Sequence, residues 1–219
     1  MIEGEKIKIK VCGMRDSNNI AHVTALGPDY MGFIFYGPSP RYVGPDFRLF
    51  DKAPANIVRV GVFVNEANDE IMTRSKIAGF DHVQLHGNET VQQAGDLKAS
   101  GFTVIKVFSV DDDFDFAITK PFIPVVDFFL FDTKGKFHGG NARTFNWKVL
   151  SRYDQDVPFF LSGGITPENV NDINALDGMN LYALDVNSGV EVAPGLKDIK
   201  KLKTLFEAVD KLRLKRTTP

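Results

Sequence analysis

Cys12 is the only cysteine in the chain and the first residue suited to acid–base chemistry. It ends a short apolar stretch in which alternate residues point to opposite faces of a predicted strand. One face carries Ile7, Ile9 and Val11, and the other carries Lys8, Lys10 and Cys12. Lys10 is then about 7 Å from Cys12 by strand rise, where its charge would favour the thiolate. Because a lone cysteine forms no internal disulfide, Cys12 is predicted to be either a reactive thiol or an inert buried one.

Asp132 ends a second apolar segment, residues 126–131, and directly precedes a glycine-bearing loop at 133–140. A carboxyl group at the end of a strand, beneath a mobile loop, is suited to general acid catalysis. An isolated Asp also commonly caps a loop through hydrogen bonds to the backbone. The residues alone leave both interpretations open.

Arg41 and His86 are polar residues that follow or end two further apolar segments. Arg41, in Ser39-Pro40-Arg41, could fork onto a carboxylate or could be exposed and solvated. His86 shares a face with Gln84, and a lone histidine at a strand end is more often structural than catalytic. The sequence has no HExxH and no second His or carboxylate at ligand spacing, so no metal site is predicted.

Short apolar segments alternate with segments of helical period along the whole chain. Strands are predicted near 7–12, 30–35, 57–63, 82–86, 103–108, 126–132, 158–161 and 181–185, and helices near 17–26, 46–55, 66–79, 90–99, 143–151, 167–176 and 197–212. Strand then helix, repeated about eight times, predicts a closed (β/α)8 TIM barrel. The helix after strand 5 is expected to be short or absent because Pro121 and Pro124 interrupt it. An open doubly wound sheet is the alternative, and it is disfavoured because GxGxxG and GxxxxGK are missing.

In such a barrel the functional residues lie at the C-terminal ends of the strands. Cys12 and Asp132 end strands 1 and 6 and would face each other obliquely across the barrel mouth. Glycine-bearing turns at 162–166 and 187–190 follow strands 7 and 8, where barrels build phosphate sites from backbone amides. Either turn alone is more often just a tight turn, but the pair favours phosphate binding. Thr166 and Pro167 predict the N-cap and first turn of the next helix.

The composition is that of one globular domain, which we predict to span residues 1–219. Hydrophobic residues make up 43% of the chain and charged residues 25%, with a mean hydropathy of -0.12. The formal net charge of -2 gives no reason to expect nucleic acid or an anionic membrane as partner. The N-terminal segment is charged, and no apolar run reaches the roughly 18 residues of a membrane span. A cytoplasmic protein is therefore predicted.

Taken together, these segments resemble the phosphoribosylanthranilate isomerase family of tryptophan biosynthesis. The matching segments follow the family's own order: Lys10-Val11-Cys12-Gly13-Met14, Gly32-Phe33-Ile34-Phe35, Ser39-Pro40-Arg41-Tyr42-Val43, Gly61-Val62-Phe63-Val64-Asn65, Val83-Gln84-Leu85-His86-Gly87, Phe131-Asp132-Thr133, Gly139-Gly140, Leu161-Ser162-Gly163-Gly164-Ile165 and Asp185-Val186-Asn187-Ser188-Gly189-Val190-Glu191. Each segment alone is weak, and their joint occurrence at successive strand ends is specific. The sequence departs from the family pattern at Asn141-Ala142, where Thr-Gly is usual, and at Asn187, where serine is common.

The resemblance implies an isomerase that converts N-(5-phosphoribosyl)anthranilate to 1-(2-carboxyphenylamino)-1-deoxyribulose 5-phosphate by an Amadori rearrangement, with no cofactor and no metal. It implies Asp132 as the acid that opens the ribose ring and Cys12 as the base that takes the C2 proton. The implied substrate contacts are Arg41 on the anthranilate carboxylate, Asp185 near the sugar, and Gly163, Gly164, Ser188 and Gly189 on the phosphate. The expected partner is this small phosphorylated substrate, and the chain is expected to be a monomer or a homodimer.

Two other functions are compatible with a phosphate-binding barrel. Another phosphosugar enzyme, such as a ribulose-phosphate epimerase or the histidine-pathway isomerase, would not explain Cys12 together with Arg41. A non-catalytic barrel that binds a phosphorylated metabolite would be expected to lack the acid or the base. Both are present, so the sequence favours the isomerase.

Overall fold

The barrel is closed by eight parallel strands that pair in chain order. The computed structural model describes residues 6–48, 56–133, 146–154 and 156–212. The barrel strands are β1 (Lys8–Val11), β2 (Tyr30–Ile34), β3 (Val58–Phe63), β4 (His82–Leu85), β5 (Thr103–Val110), β6 (Phe128–Thr133), β7 (Phe159–Ser162) and β8 (Leu181–Val186). Because β1 pairs with both β2 and β8, the sheet has no edge. The predicted (β/α)8 barrel is confirmed.

Helices of two kinds cover the outside of the barrel in the described ranges. The α-helices are α1 (Ser17–Thr24), α2 (Asn68–Ala78), α3 (Val91–Ala99) and α4 (Ile199–Val209), and the 3₁₀ helices are Phe116–Val125, Trp147–Arg152, Val170–Leu176 and Ser188–Val190. Side chains cap three of the α-helices in the expected way: Asp16, Thr90 and Asp198 each accept a hydrogen bond from a backbone N–H of the first turn. A hairpin of β9 (Glu191–Ala193) and β10 (Leu196–Lys197) follows β8 and was not predicted.

The helical predictions fail most clearly in the second half of the chain. The connection after β5 is a 3₁₀ helix that contains Pro121 and Pro124, which agrees with the expected absence of a regular α-helix there. The segments predicted at 143–151 and 167–176 also contain 3₁₀ helices, at Trp147–Arg152 and Val170–Leu176, and residues 143–145 lie outside the described ranges. Of the helix predicted at 46–55, residues 46–48 are not helical and residues 49–55 lie outside those ranges.

Thr166 caps a turn and not the helix itself: its Oγ1 accepts from Glu168 N–H at 3.2 Å, but the regular helix starts later than the sequence predicted. The 3₁₀ helix begins at Val170 after Asn169. The Asn169 side chain instead joins the preceding turn: its Oδ1 accepts from Thr166 N–H at 2.8 Å, and its Nδ2 donates to the Gly164 carbonyl at 2.8 Å. Such local side-chain bonds compete with helical hydrogen bonding, which explains why the turn continues to residue 169.

Two apolar layers hold the barrel together. The barrel interior is filled by Tyr30, Val60, Ile105, Val107, Leu130, Phe160 and Ala183. The larger layer lies between the strands and the helices and includes Ile7, Ile9 and Val11, so the predicted outward face of β1 is confirmed. Its other face therefore points into the barrel, above and below the apolar filling. None of the helices in the described residues is long and apolar enough to cross a membrane.

Candidate active site

A cavity that is partly open to solvent lies at the C-terminal ends of the strands. Its walls are Cys12, Ile34, Tyr36, Ser39, Arg41, Val62, Val64, Gln84, His86, Asp132, Ser162, Gly163, Gly164, Ile165, Asp185, Asn187, Ser188 and Gly189. Every residue that the sequence singled out for catalysis or substrate binding is among them. The fold therefore brings together residues that are up to 177 positions apart in the chain, from Cys12 to Gly189.

Cys12 lies in this wall beside a buried lysine from the same strand. Lys10 Nζ donates a hydrogen bond of 2.8 Å to Asp185 Oδ1, and its positive charge acts on the neighbouring Cys12 thiol. Space for this arrangement comes from Gly32 on β2, since a Cβ there would lie 2.7 Å from Cys12 Sγ and 3.1 Å from Lys10 Nζ. Cys12 is thus buried, as expected for an inert thiol. However, it faces the cavity and has a cationic neighbour, as expected for a reactive one.

The surroundings of Cys12 hold it as a thiol. Burial raises the pKa of Cys12 and the nearby Asp185 adds to the effect, whereas Lys10 and Lys197 oppose it without outweighing it. Lys10 thus lowers the pKa of Cys12, as expected, but not enough to keep Cys12 ionised in the free protein. Although burial lowers the pKa of Lys10, Asp185 and Cys12 raise it above its ordinary value, so the ammonium form persists beside the sulfur.

Asp132 is the second-last residue of β6 and is buried in the wall of the same cavity. Its Oδ1 accepts a hydrogen bond of 2.9 Å from the backbone N–H of Thr133, which is the cap that the sequence left open. Its Oδ2 lies 3.5 Å from Nε2 of His86. The cap uses only one oxygen, so the second remains directed toward His86 in a wall of the cavity.

His86 and Gln84 are site residues whose role sequence reasoning missed. Gln84 Nε2 lies 3.0 Å from His86 Nδ1, so Gln84, His86 and Asp132 form a chain of polar contacts across β4 and β6. Gln84 Oε1 is buried and has no hydrogen-bond partner, which leaves an acceptor in the cavity wall. The available signal was the shared face of Gln84 and His86 at a strand end.

Arg41 is buried, not solvated, and it is already paired with a carboxylate. Its Nε lies 3.0 and 3.1 Å from the two carboxylate oxygens of Glu191, and its Nη2 donates to Oε2 at 2.6 Å. Gly13 permits this position, because a Cβ there would lie 2.7 Å from Arg41 Cδ and 2.8 Å from Asn187 Oδ1. Gly13, which directly follows the candidate base Cys12, therefore makes room for Arg41, the candidate ligand of the substrate carboxylate.

The two glycine turns pack closely on the strands and on each other. Gly163 has φ +96°, and a Cβ on it would lie 2.1 Å from Thr133 Oγ1. A Cβ on Gly189 would lie 2.2 Å from the Ile165 carbonyl oxygen. Side chains are thus excluded at both turns, which leaves backbone surface facing the cavity. Asn187 lines the cavity next to these turns, whereas the other departure, Asn141-Ala142, lies outside the described residues.

The site has no cluster suited to a metal in the part of the chain that is described: no three His, Cys, Asp or Glu side chains gather there as ligands. The polar groups that line the cavity include a thiol, carboxyl groups, hydroxyls, an imidazole, two side-chain amides and a guanidinium. These groups can move protons and bind anions. The arrangement is suited to acid–base chemistry on an anionic substrate.

Comparison with known proteins gives one consistent relationship. Residues 9–208 match the family model described as N-(5'-phosphoribosyl)anthranilate (PRA) isomerase. The chain is 43% identical over 192 residues to the N-(5'-phosphoribosyl)anthranilate isomerase of Phocaeicola vulgatus, covering 87% of this chain and 91% of that protein. It is similar to the crystal structure of the phosphoribosyl anthranilate isomerase from Thermotoga maritima, with a TM-score of 0.81, 31% identity, and coverage of 94% and 100%. A further isomerase structure, in complex with reduced 1-(o-carboxyphenylamino)-1-deoxyribulose 5-phosphate, has a TM-score of 0.79, 30% identity and the same coverage.

Proposed function

Because the chain belongs to the PRA isomerase family, we propose that Asp132 is the general acid and Cys12 the general base of its reaction. The enzyme is an isomerase of tryptophan biosynthesis that converts N-(5-phosphoribosyl)anthranilate to 1-(2-carboxyphenylamino)-1-deoxyribulose 5-phosphate. The observation that carries the assignment is the placement of these two groups in the wall of one cavity, at the ends of strands β1 and β6, which β7 and β8 separate. An acid and a base separated in this way can act on two atoms of one small substrate.

Asp132 acts first, by giving its proton to the oxygen of the ribose ring. The bond from that oxygen to C1 breaks while the anilino nitrogen donates its electron pair, which produces a cationic Schiff base. The Asp132 oxygen not held by Thr133 is free to face the substrate, and His86 lies 3.5 Å from it. His86 is therefore a partner through which Asp132 is oriented.

Cys12 then removes the proton from C2, and the electrons of that C–H bond neutralise the Schiff base to give an enolamine. Tautomerisation of the enolamine gives the aminoketose product. The competent base is the thiolate, whereas burial raises the pKa of Cys12. The ionised form is thus a minority that two cations favour: Lys10, and the positive nitrogen formed by ring opening. Asp185 keeps Lys10 in place through the 2.8 Å bond and lies near the sugar.

Anionic groups at the two ends of the substrate provide its anchors. We assign the anthranilate carboxylate to Arg41, whose guanidinium still has N–H groups not used by Glu191. The phosphate is assigned to the backbone amides of the turns that contain Gly163, Gly164, Ser188 and Gly189. The ligand of the solved relative, reduced 1-(o-carboxyphenylamino)-1-deoxyribulose 5-phosphate, carries both a carboxylate and a phosphate, which supports this pairing of sites.

The test uses the variants Cys12→Ser and Asp132→Asn. Substrate is formed from anthranilate and phosphoribosyl pyrophosphate by the coupling transferase, and its disappearance is followed by fluorescence. Each variant should lower kcat by about 10²–10⁴ while product binding is largely retained. Asp127→Asn is the matched control, because Asp127 lies just before β6 and pairs with Lys98 at 3.1 Å outside the cavity. Near-normal turnover in either active-site variant removes that residue from its role.

The substrate is the one partner that the site itself supports. A monomer or homodimer remains a prediction for this chain. A Thermotoga maritima relative is described as dimeric and was also obtained as monomers, so both states are compatible with this fold.

A further inference from the structure

Lys197 is a buried cation that lies behind Arg41 and outside the cavity wall. Its Nζ donates to Glu191 Oε1 at 2.6 Å and to the Asn187 side-chain oxygen at 2.7 Å, and it lies 3.3 Å from the Asn187 carbonyl oxygen. The side chains of Lys197, Glu191 and Arg41 are 0%, 5% and 10% exposed. Glu191 therefore joins two cations, one that faces the cavity and one that does not.

This arrangement solves an electrostatic problem in the proposed carboxylate site. Arg41 and Glu191 are joined through two guanidinium nitrogens, so alone they form a neutral unit with little attraction for another anion. Burial lowers the pKa of Lys197 to about 8, so at neutral pH Lys197 is mainly an ammonium and the three side chains carry a net charge close to +1. Because they are almost fully buried, solvent screens this charge weakly.

We propose that Lys197 is a positioning residue that keeps the Arg41–Glu191 pair net positive, so that Arg41 binds the substrate carboxylate while Glu191 fixes its orientation. The proposal rests on the proposed function, in which Arg41 holds the anthranilate carboxylate. Neither Lys197 nor Glu191 lines the cavity, so their effect on the substrate carboxylate is exerted through Arg41. Asn187 takes part by accepting a hydrogen bond from Lys197.

A pair of variants separates net charge from simple structural support. Lys197→Met should make the cluster neutral and raise KM about fivefold to tenfold. Lys197 also acts on Cys12, but less than Lys10 does, so kcat should fall by no more than about threefold. Adding Glu191→Gln to Lys197→Met leaves Arg41 with its own positive charge. The double variant should therefore recover KM to within about twofold of the parent protein, without recovering kcat.

Three further measurements make the result decisive. Lys106→Met is the control for loss of a buried ammonium, since Lys106 is paired with Glu89 at 2.6 Å away from the cavity wall, and its KM should stay unchanged. Lys197→Gln keeps a hydrogen-bonding side chain without the charge, and it serves if the methionine variant fails to fold. Inorganic phosphate should inhibit Lys197→Met as strongly as it inhibits the parent protein, within about twofold.

The outcomes distinguish this inference from the function on which it rests. If Arg41→Ala leaves KM unchanged, Arg41 does not bind the substrate carboxylate, and the proposed role of Lys197 is wrong as well. If Arg41→Ala raises KM and the Lys197 variants do not, only the role of Lys197 is wrong. A double variant with a KM no better than that of Lys197→Met contradicts the charge argument. If Lys197→Met loses phosphate and substrate affinity equally, Lys197 acts at the phosphate end of the site, and its proposed role beside Arg41 is wrong.

Discussion

The two ends of the barrel interior use the same residue type for opposite purposes. Toward the N-terminal end of β1, Lys8 Nζ donates to the Tyr182 hydroxyl at 2.9 Å and lies 4.9 Å from the centre of the Tyr182 ring. Toward the C-terminal end, Lys10 Nζ instead donates to Asp185 at 2.8 Å, and its charge acts on Cys12. The two lysines are two residues apart on one face of one strand. What differs is the set of side chains that the other strands bring to each level.

Aromatic side chains fill the N-terminal level. The rings of Tyr30 and Phe128 each lie 4.6–6.3 Å, between centroids, from those of Phe160 and Tyr182, which are 5.6 Å apart. At the C-terminal level, Gly32 takes the inward position on β2 and leaves room for the sulfur and the ammonium group. The same strands therefore build a packed, stabilising layer at one end and an open, reactive layer at the other. A small residue at an inward position, such as Gly32, determines which level stays open.

Among the substitutions at the two ends, Lys10→Met should have the largest effect on kcat and on the free energy of unfolding. It removes the cation that favours the Cys12 thiolate and leaves the Asp185 carboxylate buried without its partner. We expect kcat to fall by about tenfold to a hundredfold and the free energy of unfolding to fall by about 3–5 kcal/mol. Steady-state kinetics and urea denaturation measure the two effects.

Lys8→Met is the matched control for that variant, since it removes the same group two residues away. Its kcat should equal that of the parent protein. If Lys10→Met does not fold, Lys10→Met combined with Asp185→Asn removes both charges, and its kcat should remain low because Cys12 still lacks its cation. Equal kcat losses in the Lys8 and Lys10 variants would mean that the two ends do not differ in function.

The sequence predicted the two ends unequally, for a physical reason. The alternation along β1 and the glycine turns after β7 and β8 are local patterns, and they indicated the barrel and the residues in its mouth. The contacts of Arg41 with Glu191 join residues 150 positions apart, and no local period encodes such a pair. The hairpin that carries Lys197 was likewise missed, because its strands have three and two residues, too few for a strand pattern.

The ionisation of Cys12 offers a more specific test of the reactive end. Burial raises the pKa of the thiol, and a thiolate, not a thiol, reacts with iodoacetamide. Alkylation of the single cysteine should therefore be slower at neutral pH than that of a free cysteine. It should increase by about tenfold per pH unit until the raised pKa is passed. Mass spectrometry of the modified protein gives the rate at each pH.

The same measurement in two variants tells which lysine acts on the thiol. Lys10→Met should move the alkylation midpoint to higher pH, because a cation that stabilises the thiolate is lost. Lys8→Met should leave the midpoint in place. A midpoint at or below that of free cysteine would contradict the effect of burial, and a midpoint unmoved in Lys10→Met would contradict the role of Lys10.

The smallest expected effect lies at the packed end. Tyr182→Phe keeps the ring but removes the hydroxyl that accepts from Lys8 and lies 2.9 Å from the Tyr30 hydroxyl. The free energy of unfolding should fall by about 1 kcal/mol, with kcat and KM unchanged because the group lies on the far side of the apolar filling. Urea denaturation of this variant, of Lys8→Met and of the double variant forms a double-mutant cycle. A coupling of about 0.5–1 kcal/mol would confirm that Lys8 stabilises the barrel through Tyr182, whereas a tenfold loss of kcat would show that the packed end contributes to catalysis after all.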